Sequence, residues 1–245
     1  MSSPRVFAIR HGETEWSLTH RHTGGTELDL TSIGMQQIEA IGRTSIGMNK
    51  LISPIKLTKI FCSPLKRARH TLELLNFGVN DRLPWDPLLG LTKVSSAGDY
   101  KCTAEVEVDT RLKEWDYGDY EGLTTEKIRQ LRNAKGLDRD RDWNIMKDGC
   151  EGGESPDEVA TRLDRLIADI RDAQFSAEEA KAHGTDIVCV AHGHILTALA
   201  LRWSGVSLQD APRMFLETGG VVVLGYEHHN LNEPAILLSE GAFTA

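Results

Sequence analysis

The stretch Val6-Phe7-Ala8-Ile9-Arg10-His11-Gly12-Glu13-Thr14 changes abruptly from apolar to charged residues. A run of consecutive apolar residues is typical of a strand that is buried on both faces of a parallel sheet. Ligands of open α/β sheets bind beyond the carboxyl ends of such strands, where Arg10 and His11 stand. Gly12 follows, where the chain must turn and its backbone can approach a ligand closely. We therefore predict a strand that carries two charged groups to a binding site, although a solvated strand end is the commoner role.

A second stretch repeats this arrangement near the other end of the chain. Asp186-Ile187-Val188-Cys189-Val190-Ala191 predicts another buried strand, and His192, Gly193 and His194 follow it before an apolar helix. Imidazole and backbone amides at one point are what an oxyanion requires. The histidine pair is also compatible with a metal ion. Because no cluster of acidic residues lies beside it in the sequence, we favour phosphate over metal.

The size and charge of the chain limit its function. Its 245 residues suffice for a sizeable core, and we predict one domain that spans residues 1–245. With a formal net charge of -8, the chain lacks the positive electrostatic field that non-specific nucleic-acid binding requires. An anionic ligand must therefore be small, and a few local cations must hold it.

Two further features indicate the compartment. The N-terminal residues run directly into the first strand, and no later run of about 18 apolar residues could span a membrane. The four cysteines are far apart and lack the paired spacing of zinc or redox sites. We therefore expect a soluble, cytoplasmic protein whose cysteines are structural.

A helix that begins with several cations is a third candidate for the site. Lys59-Ile60-Phe61-Cys62 predicts a short strand, and Ser63 and Pro64 predict the N-cap and first turn of the next helix. Arg67 then stands in the first turn, about 120° from the centre of the apolar stripe. Cations there oppose the helix macrodipole by roughly 0.3–1 kcal/mol. Either solvent screens this cost, or an anion lies at the helix start.

The segment 109–122 is unusually rich in both carboxylates and aromatic residues. Most of these acids should face water, but one beside Trp115 and Tyr117 could be desolvated enough for its pKa to rise. A general acid near neutral pH requires such a shift. Residues from about 116 to 154 are polar, and we predict that they form an insertion over the sheet edge. Ser155-Pro156-Asp157-Glu158 is a capping box that opens a long helix.

Four motifs in this order resemble those of the histidine phosphatase superfamily, in the branch of the cofactor-dependent phosphoglycerate mutases. The resemblance covers nearly the whole chain. It implies an α/β fold: a three-layer sandwich with a central, mostly parallel sheet flanked by helices and an insertion over the active site. The motifs are Arg10-His11-Gly12-Glu13-Thr14, Ser63-Pro64-Leu65-Lys66-Arg67-Ala68-Arg69-His70-Thr71, Arg111-Leu112-Lys113-Glu114 with Gly118-Asp119-Tyr120-Glu121-Gly122, and Val190-Ala191-His192-Gly193.

Stretches in the insertion and the tail resemble one group within the family, the fungal sedoheptulose-1,7-bisphosphatases. Insertions and loops commonly set substrate choice, so this likeness favours a sugar-phosphate phosphatase over a glycolytic mutase. The stretches are residues 114–122, Gly136-Leu137-Asp138, Trp143-Asn144-Ile145, Asp148-Gly149-Cys150-Glu151 and His228-His229-Asn230.

The family resemblance implies a role for each matched residue. His11 would be the nucleophile that forms a phosphohistidine, and Glu114 would be the proton donor. Arg10, Arg67 and a protonated His192 would hold the phosphate, so no metal or other cofactor is needed. The residues that we expect to bind substrate are Ser17, which replaces the asparagine of many members, and Thr23, Gly24, Tyr117 and Gly193.

The expected reaction is metal-independent hydrolysis of a sugar (bis)phosphate through a phosphohistidine. Two alternatives stay open. A phosphoglycerate mutase-type phosphotransferase would return the phosphoryl group to a bound sugar acid. A catalytically dead phospho-ligand sensor would usually have lost a reacting group, whereas His11 and Glu114 are both present. We expect a phosphorylated sugar as the partner, no nucleic acid and no membrane, and leave homo-oligomerisation open.

Overall fold

The computed structural model describes residues 3–79, 83–85, 102–179 and 184–238, and within them six strands form one mixed sheet. The strands are β1 (Val6–Arg10), β2 (Leu57–Cys62), β3 (Glu105–Val108), β4 (Asp186–Ala191), β5 (Val221–Tyr226) and β6 (Pro234–Leu237). Their order is β3-β2-β4-β1-β5-β6. The first four strands in this order are parallel to one another. β5 pairs antiparallel with β1, and β6 pairs antiparallel with β5 at the edge of the sheet. The expected mostly parallel sheet is confirmed.

Helices cover both faces of the sheet. They are α1 (Glu15–Leu18), α2 (Ser32–Ser45), α3 (Lys66–Leu75), α4 (Thr125–Ala134), α5 (Ile145–Asp148), α6 (Pro156–Glu179) and α7 (Gly193–Trp203). Alternate residues of β1 serve opposite sides, because successive side chains of a strand point to opposite faces. Val6 and Ala8 join the apolar cluster under α6 and α7, and Phe7 and Ile9 join the cluster under α2 and α3. The predicted three-layer arrangement is therefore confirmed.

The long helix α6 begins where the capping box predicts it. The Ser155 amide donates to Glu158 Oε2 at 2.8 Å, and the Glu158 amide donates to Ser155 Oγ at 3.3 Å. Pro156 is the first helical residue. The inward-facing residues that its spacing indicates, Val159, Leu163, Leu166, Ile167 and Ile170, are buried.

Three local predictions differ from the structure. α3 begins at Lys66 rather than at Pro64, and no side chain caps it. The segment 16–26 is rich in Thr, His and Gly, a composition that predicts a loop, but it begins with the short helix α1, because Thr14 and Ser17 form a capping box. β3 lies in the range 85–108, for which no element was predicted and most of which is outside the described residues. Its Glu-Val-Glu-Val alternation suits the sheet edge that it occupies.

The segment 116–154 holds α4 and α5, and its residues Tyr117 and Thr125 line a pocket that Arg10 and His11 also line. That this segment is an insertion into one domain stays a prediction. No helix in the described ranges has the length and apolar character needed to cross a membrane.

Candidate active site

The carboxyl ends of two neighbouring strands bring two site histidines together. β1 and β4 pair in parallel with Arg10 opposite Ala191, so the residues after each strand emerge side by side. The ring centroids of His11 and His192 lie 5.1 Å apart. Both side chains are buried, with exposed fractions of 4% and 0%. This closeness follows from the sheet order, since parallel strands end at the same edge.

The hydrogen bonds of His11 fix its tautomer. Nδ1 lies 2.7 Å from the Gly12 carbonyl oxygen, which can only accept, so Nδ1 carries the proton and Nε2 keeps a free lone pair. Burial, with the positive charges of Arg67 and Arg10, lowers the pKa of His11 well below its usual value of 6.5. His11 is therefore neutral at physiological pH, as a nucleophilic imidazole must be.

His192 is also neutral, contrary to the expected protonated form. Arg67 Nε donates to Nδ1 at 3.1 Å, so the remaining proton lies on Nε2, which is 2.7 Å from Ser63 Oγ. Burial and the charges of Arg67 and Arg10 lower the pKa of His192 well below 6.5. Both of its ring nitrogens are occupied, so His192 has no free nitrogen for the alternative metal site.

Arg10 offers an unused donor at the base of the pocket. Its Nη1 donates to the Leu216 carbonyl oxygen at 2.5 Å, whereas its buried Nε has no partner among the described residues. Burial lowers the pKa of Arg10, and the negative charge of Glu114 opposes this change. A buried N–H without an acceptor costs free energy, which a phosphate oxygen at this position would recover.

Gly193 allows the Arg10 guanidinium to lie against the start of α7. A Cβ at this position would lie 3.2 Å from Cζ and 3.3 Å from Nε of Arg10. Alanine would therefore displace the guanidinium by a few tenths of an ångström. The space at position 193 is thus one reason why a glycine suits the expected role in binding.

We expect Gly193→Ala to lower kcat/KM for a phosphate monoester by about tenfold, since small misplacements at a reacting centre are costly. The thermal unfolding midpoint should change little, because alanine suits a helix. Gly25→Ala is the matched control, since a Cβ there meets nothing within 4 Å. Equal kcat/KM values for the two variants would contradict the role of this space.

Arg67 lies in the first turn of α3, as predicted, and is fully buried, so solvent does not screen its charge. Besides donating to His192, it donates from Nη1 to the Thr26 carbonyl oxygen and from Nη2 to those of Thr23 and Gly24, at 2.9–3.0 Å. Most of its five N–H groups are thus already used within the protein. Arg67 positions His192 and the loop 23–26, and its charge contributes to the field around His11.

Glu114, which lines the same pocket as His11, is held by three backbone amides. Oε1 accepts from the amides of Trp115 at 2.9 Å and Ile195 at 2.8 Å, and Oε2 accepts from His194 at 3.0 Å. The start of α7 therefore binds this carboxylate, whereas the sequence indicated that its amides would face the oxyanion. A carboxylate has about four acceptor sites. The acceptor site that remains is on Oε2.

The pocket between these groups has a volume of about 580 Å³. Of the residues expected to bind substrate, Ser17, Thr23, Tyr117 and Gly193 line it, together with Arg10, His11 and Glu114. Gly24 does not, and its amide donates to Glu121 Oε2 at 2.8 Å. The Ser17 hydroxyl donates to the Thr14 carbonyl oxygen at 2.8 Å, so it is committed to the cap of α1.

Neutral polar rings form one wall of the pocket. The Tyr117 hydroxyl lies 2.6 Å from His194 Nδ1, and the His22 ring stacks on His194 with centroids 5.6 Å apart. Burial lowers the pKa of His22 to about 3. Burial and the charge of Arg10 lower that of His194 to about 4. Such a wall offers hydrogen bonds without charge, which suits a hydroxylated leaving group.

Sequence reasoning missed two residues that support the site. Glu121 accepts from the amides of Gly24 and Thr26 and so fixes the loop beneath Arg67. Ser63, read as a helix cap, instead hydrogen-bonds His192. Both residues lie inside motifs quoted from the sequence, 63–71 and 118–122, and this was the available signal, but the motifs did not indicate which groups the two residues contact.

Comparison with known proteins places these observations in context. The sequence profile of the histidine phosphatase superfamily (branch 1) matches residues 6–234. The chain is 34% identical to sedoheptulose 1,7-bisphosphatase of Saccharomyces cerevisiae, over 97% of this chain and 93% of the yeast protein. It is also 34% identical to an acid phosphatase of Mycobacterium tuberculosis, over 91% and 87% of the two chains. Bacterial 2,3-bisphosphoglycerate-dependent phosphoglycerate mutases are similar at 26–30% identity.

The fold is similar to a solved structure as well. The product of the open reading frame Rv3214 of Mycobacterium tuberculosis superposes with a TM-score of 0.69 and 29% identity, over 97% of each chain.

Proposed function

We infer the reaction from one premise: the chain belongs to the histidine phosphatase superfamily (branch 1) and is a phosphoric monoester hydrolase. We propose that it hydrolyses a sugar (bis)phosphate, such as sedoheptulose 1,7-bisphosphate, through a phosphohistidine and without a metal ion. The observation that carries this proposal is the neutral His11, whose free Nε2 lies in the same pocket as an unused arginine donor and a carboxylate.

In the first step, His11 Nε2 attacks phosphorus in line with the bond to the sugar oxygen. The P–N bond forms while the P–O bond breaks, and Arg10 binds the non-bridging oxygens as their charge shifts. Glu114 Oε2 gives its proton to the departing alkoxide. One hard displacement is thus divided into two easier ones, as phosphate monoesters require, given that they are among the slowest biological bonds to hydrolyse.

In the second step, water attacks the phosphohistidine from the side that the sugar has left. Glu114, now ionised, accepts a proton from this water, and inorganic phosphate leaves while His11 recovers its lone pair. Water can enter the pocket for this step, because exposed residues such as His20 and Phe215 line its mouth. A mutase would have to exclude water from the same intermediate.

We propose a sugar as the leaving group of the substrate on two grounds. The uncharged wall of His22, Tyr117 and His194 suits a hydroxylated group, and the yeast relative is named for a seven-carbon sugar bisphosphate. The test is release of inorganic phosphate across a panel of sugar mono- and bisphosphates, with an aryl phosphate included. Turnover of the aryl phosphate alone would overturn the sugar assignment. Phosphoryl transfer between sugar acids, with no phosphate released, would instead favour the mutase.

We expect activity to survive exhaustive treatment with a metal chelator. Arg10 and Arg67 supply fixed positive charge around His11, so the proposed steps need no Lewis acid. The measurement is kcat/KM before and after chelation, with a zinc-dependent phosphatase treated in parallel. Full loss of activity that a divalent ion restores would contradict this expectation.

A further inference from the structure

Two arginines line the pocket within the described ranges, and they lie in different settings. Arg10 is largely buried at the base beside His11 and serves the reacting phosphate. Arg21 is exposed at the mouth, after the turn that ends α1. The imidazoles of His22 and His194, which share the lining, are neutral. Arg21 is therefore the fixed positive charge of the mouth, in a chain whose net charge is -8.

The backbone around Arg21 holds it at this place. The Arg21 amide donates to the Trp16 carbonyl oxygen at 2.9 Å, and a β-bridge joins Arg21 to Thr124. The preceding residue, His20, has a φ of 55°, a left-handed conformation that non-glycine residues adopt only at a cost in free energy. A constrained turn of this kind is common where a side chain must be presented to a ligand.

The guanidinium of Arg21 is positioned but not paired. Its Cζ lies 5.8 Å from the centre of the Trp16 ring, a distance that suits a cation–π contact. Across the described parts of the chain, no carboxylate lies within ion-pair distance of it, although Arg43, Arg111, Arg141, Arg162 and Arg202 all have such partners. Arg21 thus keeps its donors available for an anionic ligand.

We propose that Arg21 binds a second phosphate group of the substrate, at the opposite end from the phosphate that reacts at His11. This inference rests on the proposed function, because it assigns the specificity of the same pocket. A guanidinium can bind a phosphate through two parallel N–H···O hydrogen bonds. The uncharged wall of His22, Tyr117 and His194, which lines the same pocket, would then face the carbon chain of a sugar bisphosphate, and a monophosphate would leave Arg21 unused.

The test compares two substrates that share the sugar and the reacting phosphate, fructose 1-phosphate and fructose 1,6-bisphosphate. Arg21→Gln should lower kcat/KM for the bisphosphate about tenfold more than that for the monophosphate, and Arg21→Lys should have an intermediate effect. The preference for the bisphosphate should also weaken as ionic strength rises in the wild type and less so in Arg21→Gln. Arg165→Gln, which removes an exposed arginine of α6, is the charge-matched control and should leave both substrates unchanged.

The outcomes separate this inference from the proposed function. If Arg21→Gln lowers kcat/KM equally for both substrates, or for neither, Arg21 does not bind a second phosphate. If the wild type releases phosphate from neither substrate, calorimetric binding of both to His11→Ala decides the question. The variant His11→Ala/Arg21→Gln should lose the preference for the bisphosphate. An unchanged preference would overturn the inference even where binding persists.

Discussion

His11→Ala should lower kcat by at least about 10⁴-fold while leaving the binding of sugar phosphates measurable. The imidazole Nε2 is the atom that would bond to phosphorus. The Gly12 carbonyl oxygen fixes the His11 tautomer that leaves this nitrogen with a free lone pair, whereas the partners of His22 and His194 do not fix theirs. Arg10 remains in the variant and can still bind the phosphate oxygens. Loss of turnover with binding retained is the signature of a missing nucleophile.

His11→Asn separates the chemical loss from a structural one. Its side-chain amide can still donate to the Gly12 carbonyl oxygen, as Nδ1 of the imidazole does at 2.7 Å, but it carries nothing in place of Nε2. Both variants should therefore be inactive, and the asparagine variant should unfold at nearly the wild-type temperature.

The intermediate gives a second measurement. Rapid quenching of the wild type with radiolabelled substrate should trap an acid-labile phosphoryl group in the peptide that contains residue 11. His192→Asn should be labelled at the same residue, since His192 is committed to Arg67 and Ser63. Label in another peptide, or normal turnover by His11→Ala, would refute His11 as the nucleophile.

The strand pattern predicted most of the fold and the centre of the site. Apolar runs that end in Arg10-His11 and in His192 identify buried strands, and the carboxyl ends of parallel strands necessarily meet at one edge. The capping box at Ser155 marked the start of α6 correctly, because capping depends on residues that are close in sequence.

The acceptors to which several hydrogen-bond donors of the site bind could not be predicted from the sequence. The amides of His194 and Ile195 bind the carboxylate of Glu114, about 80 residues away along the chain, instead of a phosphate. Arg67 can be buried because carbonyl oxygens of the loop 23–26 accept its hydrogen bonds. Both contacts depend on loops whose paths follow from tertiary packing and not from local periodicity.

Glu114→Gln should slow the hydrolysis of a sugar phosphate by about 10²–10⁴-fold and that of an aryl phosphate far less. A sugar alkoxide is strongly basic and needs a proton as it leaves, whereas a phenolate leaves without one. The rates for the two substrates should be compared on the burst of alcohol or phenol released in a single turnover, because Glu114 also takes part in the second step.

The structure defines what else the substitution changes. The glutamine oxygen can accept from the amides of Trp115 and Ile195, but its NH₂ group must then face the His194 amide, which is also a donor. One hydrogen bond is lost, and we expect the variant to be less stable by roughly 1–3 kcal/mol. This loss is the same whichever substrate is bound, so it cannot produce a dependence on the leaving group.

Glu121→Gln is the matched control for that prediction. Its carboxylate also accepts two backbone amides, from Gly24 and Thr26, so glutamine disturbs one of them in the same way. Glu121 is not among the residues that line the pocket in the described ranges, so both substrates should be affected equally. If Glu114→Gln also affects both substrates equally, Glu114 is structural. The proton donor would then be sought first at Glu13, which lines the pocket and whose Oε1 accepts from Thr31 Oγ1 at 2.7 Å.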